Sequence, residues 1–257
     1  MATKAASKTS LAALNLSYSN LYDTDTENKY IDSKNPKKVV SGGKLSLDLA
    51  DKYGSKTNGY KFTSGNGLIF ASLNGDGKRK LEWSGDSDKF KDGSSEVYAP
   101  VMTAGKKNPW NVKNLPYFEI QFSTAGYENL VFSAKIGATK KGPKNYRLAY
   151  RVGKSGTYTT LTDASSQLSL TQNKTFSSIS ARLPKAAQNQ SLVFVKIYAT
   201  SSETVAGASL SANPTSGKIG INHISIQGTA LQKASPKPPA KVQNGNSLAK
   251  ASVSKAT

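Results

Sequence analysis

"YFEIQFSTAGYENLVFSAKIGATKKGPKNYRLAYRVGKSGTY" runs from Tyr117 to Tyr158. Three runs within it place an apolar side chain at every second position. Phe118, Ile120 and Phe122 alternate with Glu119 and Gln121. Leu130, Phe132, Ala134 and Ile136 alternate with Val131, Ser133 and Lys135. Tyr146, Leu148, Tyr150 and Val152 alternate with Arg147, Ala149 and Arg151. A period of two puts alternate side chains on opposite faces of a strand. Turn clusters, "TAG", "KKGPKN" and "GKSG", separate the runs. The stretch therefore predicts strands with one dry face and one wet, cationic face.

The pattern continues outward. "SLVFVKIYA" alternates Val193, Val195, Ile197 and Ala199 with Phe194, Lys196 and Tyr198. "KLSLDLA" places Leu45, Leu47 and Leu49 on one face, and "GINHISIQG" turns either Ile221 or Asn222 inward according to register. "LPKAAQNQ" is long enough for one short helical turn, and no longer helical pattern appears. Strands at this spacing predict an all-β fold, an antiparallel β-sandwich of jelly-roll type. One domain is expected over residues 11–231, with strands near its two ends paired. Residues 1–10 read as a disordered N-terminus, and residues 232–257 as a basic Pro/Ser/Ala/Lys-rich linker or tail.

Composition narrows the chemistry. The 257 residues include no Cys, which excludes disulfides, thiolate metal sites and a thiol nucleophile. The one histidine, His223, leaves one possible imidazole base. No run of 18 apolar residues exists, so no membrane-spanning helix is expected. Near the start, "LAAL" is too short for the apolar segment of a leader. The net charge is +19 and lopsided: residues 1–96 hold 15 Lys/Arg and 12 Asp/Glu, whereas residues 97–257 hold 20 and 4. The second part should attract polyanions, more strongly at low salt; simple solubility is the other use of such charge.

Several motifs can be weighed against simpler readings. "GATKKGPK" (137–144) has the glycine spacing of a phosphate loop, but Pro143 stands where the lysine belongs. It reads as a hairpin loop. "SLNGDGKRKLEW" echoes a calcium loop with Glu82 one residue early, and reads as a β-turn after Leu73. "YDTDTEN" offers Asp23, Asp25 and Glu27 as oxygen donors for a structural Ca²⁺, or forms a solvated acidic loop. Asp76, Glu82, Asp86, Asp88 and Asp92 could supply the paired carboxylates of glycoside hydrolysis, but they lie in turn-rich text and read as exposed. His223 has no nucleophile motif beside it and reads as a hydrogen-bonded strand residue. No enzyme is expected.

Binding is the remaining expectation. Arg147, Arg151 and Lys135 share the outward phase of their strands, while Tyr117, Tyr127, Tyr158 and Trp110 lie near strand ends. Flat rings stack on the C–H faces of sugars, and arginine forks hold acid groups. Lys135, Arg147 and Arg151 with Tyr127, Tyr158 and Trp110 are thus the candidate ligand contacts. If the phase is reversed in one sheet, the tyrosines are core instead. Basic residues interleaved with aromatics also suit single-stranded nucleic acid, although no named nucleic-acid motif is present.

Ser123-Thr124-x-Gly126-Tyr127, Gly142-Pro143, the strand bearing Tyr150, Leu183-Pro184 and the closing Gly220-Ile221-Asn222-x-Ile224-x-Ile226-x-Gly228 resemble a jelly-roll accessory module of large secreted or cell-surface bacterial proteins. Such modules are similar to carbohydrate-binding domains and accompany hydrolase, phosphoesterase, nuclease or lamin-tail-like modules. The family often has acids in the last strand, where this chain has Asn222 and His223. The resemblance covers about residues 110–230. It implies a non-catalytic, extracellular or cell-surface module that binds a glycan or an anionic wall polymer. The alternatives are an assembly module that binds other protein chains and a basic accessory domain for nucleic acid.

Overall fold

The computed structural model describes residues 8–14, 29–31, 39–41, 54–56, 59–61, 64–65, 67–74, 77–79, 81–84, 88–97, 99–106, 109–212 and 215–231. Asp23, Asp25 and Glu27, the "KLSLDLA" strand with Leu45, Leu47 and Leu49, Asp76, Asp86 and the 232–257 tail lie outside them.

The described chain is an antiparallel β-sandwich of jelly-roll type. Its principal strands are β1 (Lys8–Leu14), β2 (Leu68–Leu73), β3 (Phe90–Asp92), β4 (Ser95–Val97), β5 (Pro100–Thr103), β6 (Pro116–Phe122), β7 (Tyr127–Ala138), β8 (Asn145–Val152), β9 (Ser177–Arg182), β10 (Val193–Ala199) and β11 (Lys218–Ala230). One sheet carries the order β9-β7-β11-β1, with β5 also on β11. The other carries β8-β10-β6-β2. Strands β6 to β11 alternate between the two sheets, so each connection crosses the core. The first described strand, β1, pairs with the last, β11. It starts at Lys8, three residues inside the stretch expected to be disordered.

The inward phase is as the alternation predicts. Phe118, Ile120, Leu148, Val195 and Ile197 of one sheet meet Leu130, Phe132, Ile136 and Ile221 of the other in one buried cluster. Burying each such side chain stabilises by about 1.5–3 kcal/mol before chain entropy is counted. The last strand resolves its register by a bulge. Against β7, partners shift from Ser133↔Ser225 to Lys135↔Asn222, and His223 takes φ +48°. The extra residue lets Ile221 and Ile224, three apart, both face the core. Asn222 is buried with them, and the His223 ring turns outward.

The outer face of the β7/β11 sheet is partly covered. Gly137 and Gly220 are partners across these strands, and the Phe90 ring lies on both. A Cβ at Gly137 would come within 2.8 Å of Phe90 Cδ1. Phe90 stacks on Phe176 at 5.1 Å and joins Val97, Ala99 and Val101 in a second small core. Two carboxylates pin the β3/β4 hairpin there. Asp88 binds Lys218 and, at 2.9 Å, Lys174; Asp92 binds Lys135 and, at 2.8 Å, His223. The Lys218 hydrogen bond, followed by that of Lys174, holds the Asp88 carboxyl below its ordinary value. Burial pushes Asp92 up, but Lys135 and His223 together outweigh it and leave the net shift downward.

Two expectations follow for stability. Gly137→Val should displace Phe90 and lower unfolding free energy by about 1–3 kcal/mol, read by urea denaturation. An unchanged midpoint would contradict the Phe90 seat. Both aspartates have depressed folded-state values, so their contribution is present above the ordinary value near 3.8 and fades as pH falls through the folded value. The Asp88→Asn/Asp92→Asn pair should therefore cost on the order of 1–2 kcal/mol at pH 7 and unfold with a shallower acid dependence than the parent chain.

Candidate functional site

Among the described residues, the outer face of the β8-β10-β6-β2 sheet has no comparable cover. Arg147 is exposed, and Tyr117, Glu119, Gln121, Lys196 and Tyr198 remain partly exposed. Strand register arranges this face in rows. Arg147, Tyr198, Tyr117 and Ser72 are successive partners, and Lys78 on the short strand Gly77–Arg79 extends the row. The next row is Ala149, Lys196, Glu119 and Phe70; the third is Arg151, Phe194, Gln121 and Leu68. With strands about 4.8 Å apart, the five-strand row spans about 19 Å.

Cations lie on the rings of this face. The Lys196 ammonium sits 3.8 Å from the centre of the Tyr117 ring, with Tyr158 at 5.5 Å and Tyr198 at 5.7 Å, and bonds Asn74 Oδ1 at 3.2 Å. The Arg151 guanidinium lies 4.0 Å from the Phe194 ring centre and 4.9 Å from that of Tyr158. Lys78 lies 4.1 Å over Phe70. Each contact combines charge–quadrupole attraction with cover for an apolar ring.

Arg151 is locked rather than offered. Its Nη2 reaches Glu119 Oε2 at 3.4 Å, and its Nη1 donates to the Lys154 carbonyl. The Tyr158 hydroxyl donates to the same Glu119 oxygen. Burial, with Glu119 next, pushes the Tyr158 hydroxyl far up, so it stays a donor. Burial also pushes the Lys196 ammonium down, and Arg151 adds to this against the pull of Glu119. Arg147 behaves differently. It stands exposed, donates to Gln167 Oε1 at 3.0 Å, and borders a groove of about 300 Å³ lined also by Asn145, Ser169 and Thr200.

The six residues expected to bind ligand are thus distributed unequally. Arg147, Arg151 and Tyr158 come together on one face. Lys135 does not join them, because β7 belongs to the other sheet and its ammonium is bound to Asp92. Trp110 is 1% exposed in the core, with its ring against Gly217, so no ring face is free to stack. Tyr127 is half-buried and packs on the core cluster. Lys196, Tyr198, Phe194 and Glu119 complete the face without having been singled out. Their signal was their outward phase, opposite Val195, Ile197 and Ile120.

Other motifs resolve simply. Residue 74 sits in the turn joining β2 to Gly77–Arg79, whose pairing runs Leu73↔Gly77. Residues 139–142 form a turn closed by the Gly142 N–H to the Thr139 carbonyl, and Lys185–Ala187 is a single 3₁₀ turn. Asp88 and Asp92 serve as hairpin anchors. Among the described residues, no group of three or more His, Cys, Asp or Glu is placed to hold a metal, and no helix is long and apolar enough to cross a membrane.

The sequence matches no protein-family model and no curated protein. Solved structures to which the chain is similar include the CBM22-1 xylan-binding domain from Paenibacillus barcinonensis, at 9% identity over 64% of this chain and 95% of that one, TM-score 0.34. The K1 cleaved adhesin domain of Lys-gingipain from Porphyromonas gingivalis is 11% identical over 64% and 95%, TM-score 0.36. The CBM22-1 and GH10 modules of a Clostridium thermocellum xylanase are 10% identical over 65% of this chain, TM-score 0.36; the chain spans 27% of that structure. At such identities, the ground for function is this chain's own residues.

The division between a locked and an offered arginine is measurable. Arg151→Gln should cost about 1–3 kcal/mol of stability by urea denaturation, because two ring contacts go and Glu119 loses its cation. Arg147→Gln should stay within about 0.5 kcal/mol of the parent. Equal costs at the two positions would contradict the assignment.

Proposed function

We propose that this chain is a non-catalytic binding module whose outer β8-β10-β6-β2 sheet face holds a glycan. The observation that carries the reading is the cross-strand row Arg147, Tyr198, Tyr117, Ser72 and Lys78, with Gln121 and Lys196 in the adjoining rows. Rings at the middle of a face offer apolar contact to sugar C–H groups, and surrounding amides, hydroxyls and cations fix the sugar oxygens. Strands hold these groups at a repeat set by the sheet, so binding needs no large rearrangement. Export and display at a cell surface fit this reading, since that is where a module of this kind would meet polysaccharide.

The protein-partner alternative has less behind it. Among the described residues, the large apolar side chains left exposed are Val112 and Leu231, and a broad apolar interface needs more than two such side chains. A nucleic-acid role would draw on the same cations and is separated by ligand chemistry.

Calorimetric titration and affinity electrophoresis with soluble polysaccharides, at low and at physiological salt, test the reading. The parent chain should bind at least one. Tyr117→Ala/Tyr198→Ala should weaken that binding at least about tenfold, roughly 1.4 kcal/mol, while its circular dichroism stays that of the parent. No polysaccharide binding at low salt, with single-stranded DNA bound instead, would overturn it.

A further inference from the structure

We propose that the sheet face selects acidic glycans, uronate- or sulfate-bearing, over neutral ones, and that Lys196 seated on the Tyr117 ring is the residue that makes the choice. This rests on the glycan-binding reading and adds the ligand's chemical class.

The face differs from a bare aromatic platform. Tyr117 carries Lys196, Phe194 and Tyr158 carry Arg151, and Phe70 carries Lys78. A neutral sugar stacking on the covered side of Tyr117 must first move the Lys196 ammonium, losing the 3.8 Å ring contact and the bond to Asn74. An acidic sugar requires no such displacement, because its anion can meet the ammonium where it lies. The ring then acts from below, holding the cation in place, while Tyr198 flanks it.

Charge on the face supports the same choice. Glu119 is the one carboxylate in the three rows, and Arg151 and Tyr158 already occupy it. Among the described residues of these rows, Lys196 and the exposed Arg147 therefore carry the positive sign that an incoming chain meets. A ligand anion would add to the attraction of Glu119 and so offset the burial of the Lys196 ammonium and the repulsion from Arg151. A partly desolvated cation gains more from a new counter-charge than one fully in water. The groups facing it are Tyr117 and Glu119 on β6, Arg151 on β8, Tyr198 on its own strand, and Asn74 and Tyr158 from loops.

Polygalacturonate and its methyl ester are a suitable probe pair, since they share a backbone and differ in charge. At about 0.15 M salt, where surface charge is screened beyond about 8 Å, the parent chain should bind the acid form at least about tenfold more tightly. Lys196→Met keeps the apolar stem over Tyr117 and should abolish most of that preference. Lys185→Met, at an exposed position on the 3₁₀ turn, should preserve it. Arg147→Gln, also exposed, should reduce it about threefold and gives an independent reading if Lys196→Met does not fold. Equal or tighter binding of the methyl ester overturns the inference and leaves glycan binding standing. Equal losses in Lys196→Met and Lys185→Met would assign the preference to net charge and overturn the role of Lys196. Failure to bind any polysaccharide would remove the underlying reading, and the inference with it.

Discussion

The seam between the two sheets holds the rest in place. Phe118, Ile120, Phe132, Ile136, Leu148, Val195, Ile197 and Ile221 are all 0% exposed there. Because a strand has a period of two, keeping these side chains dry dictates which residues point away from the core. Slipping one strand by a single residue would bury Arg147, Glu119 or Lys196 and expose their neighbours. The identity of each outer face is thus a by-product of the core, and the bulge at His223 shows how strong the requirement is. An αL residue is tolerated in β11 so that isoleucines three apart can both reach the seam.

The two outer faces then have different fates. On the β7/β11 sheet, a pair of facing glycines makes a floor low enough for Phe90, and Asp88 and Asp92 clamp its hairpin to four basic groups. This accounts for part of the lopsided charge: acids from the first part of the chain neutralise bases from the second. On the β8/β10/β6/β2 sheet the cations lie on rings, with Glu119 the one carboxylate among them in the three rows. A ring holds a cation without cancelling its charge, so Lys196 keeps its charge on Tyr117, whereas Asp88 and Asp92 offset part of the charge on the other face.

That difference also separates the arginines. Arg151, placed between Phe194 and Tyr158 with Glu119 beside it, maintains the shape of the face. Arg147, four residues earlier on the same side of β8, projects beside Gln167 and the neighbouring groove. Identical chemistry in equivalent strand phase has two roles, and the deciding factor is what the adjacent strand and the returning loop place nearby.

The alternation in residues 117–199 by itself determined the strands, their inward faces and the sandwich, because a period of two is a local property of the chain. It likewise determined that Arg147 and Arg151 face outward. It could not place Lys135, since the outward phase of β7 and that of β8 look alike until the connection crosses from one sheet to the other. It could not reveal that Trp110 is core, because a ring outside the alternating runs carries no phase. Nor could it show Lys196 on Tyr117 or Glu119 between Arg151 and Tyr158. Those partners lie 32 to 79 positions apart, and only the register of β10 against β6 and β8, with the loop bearing Tyr158, brings them within contact.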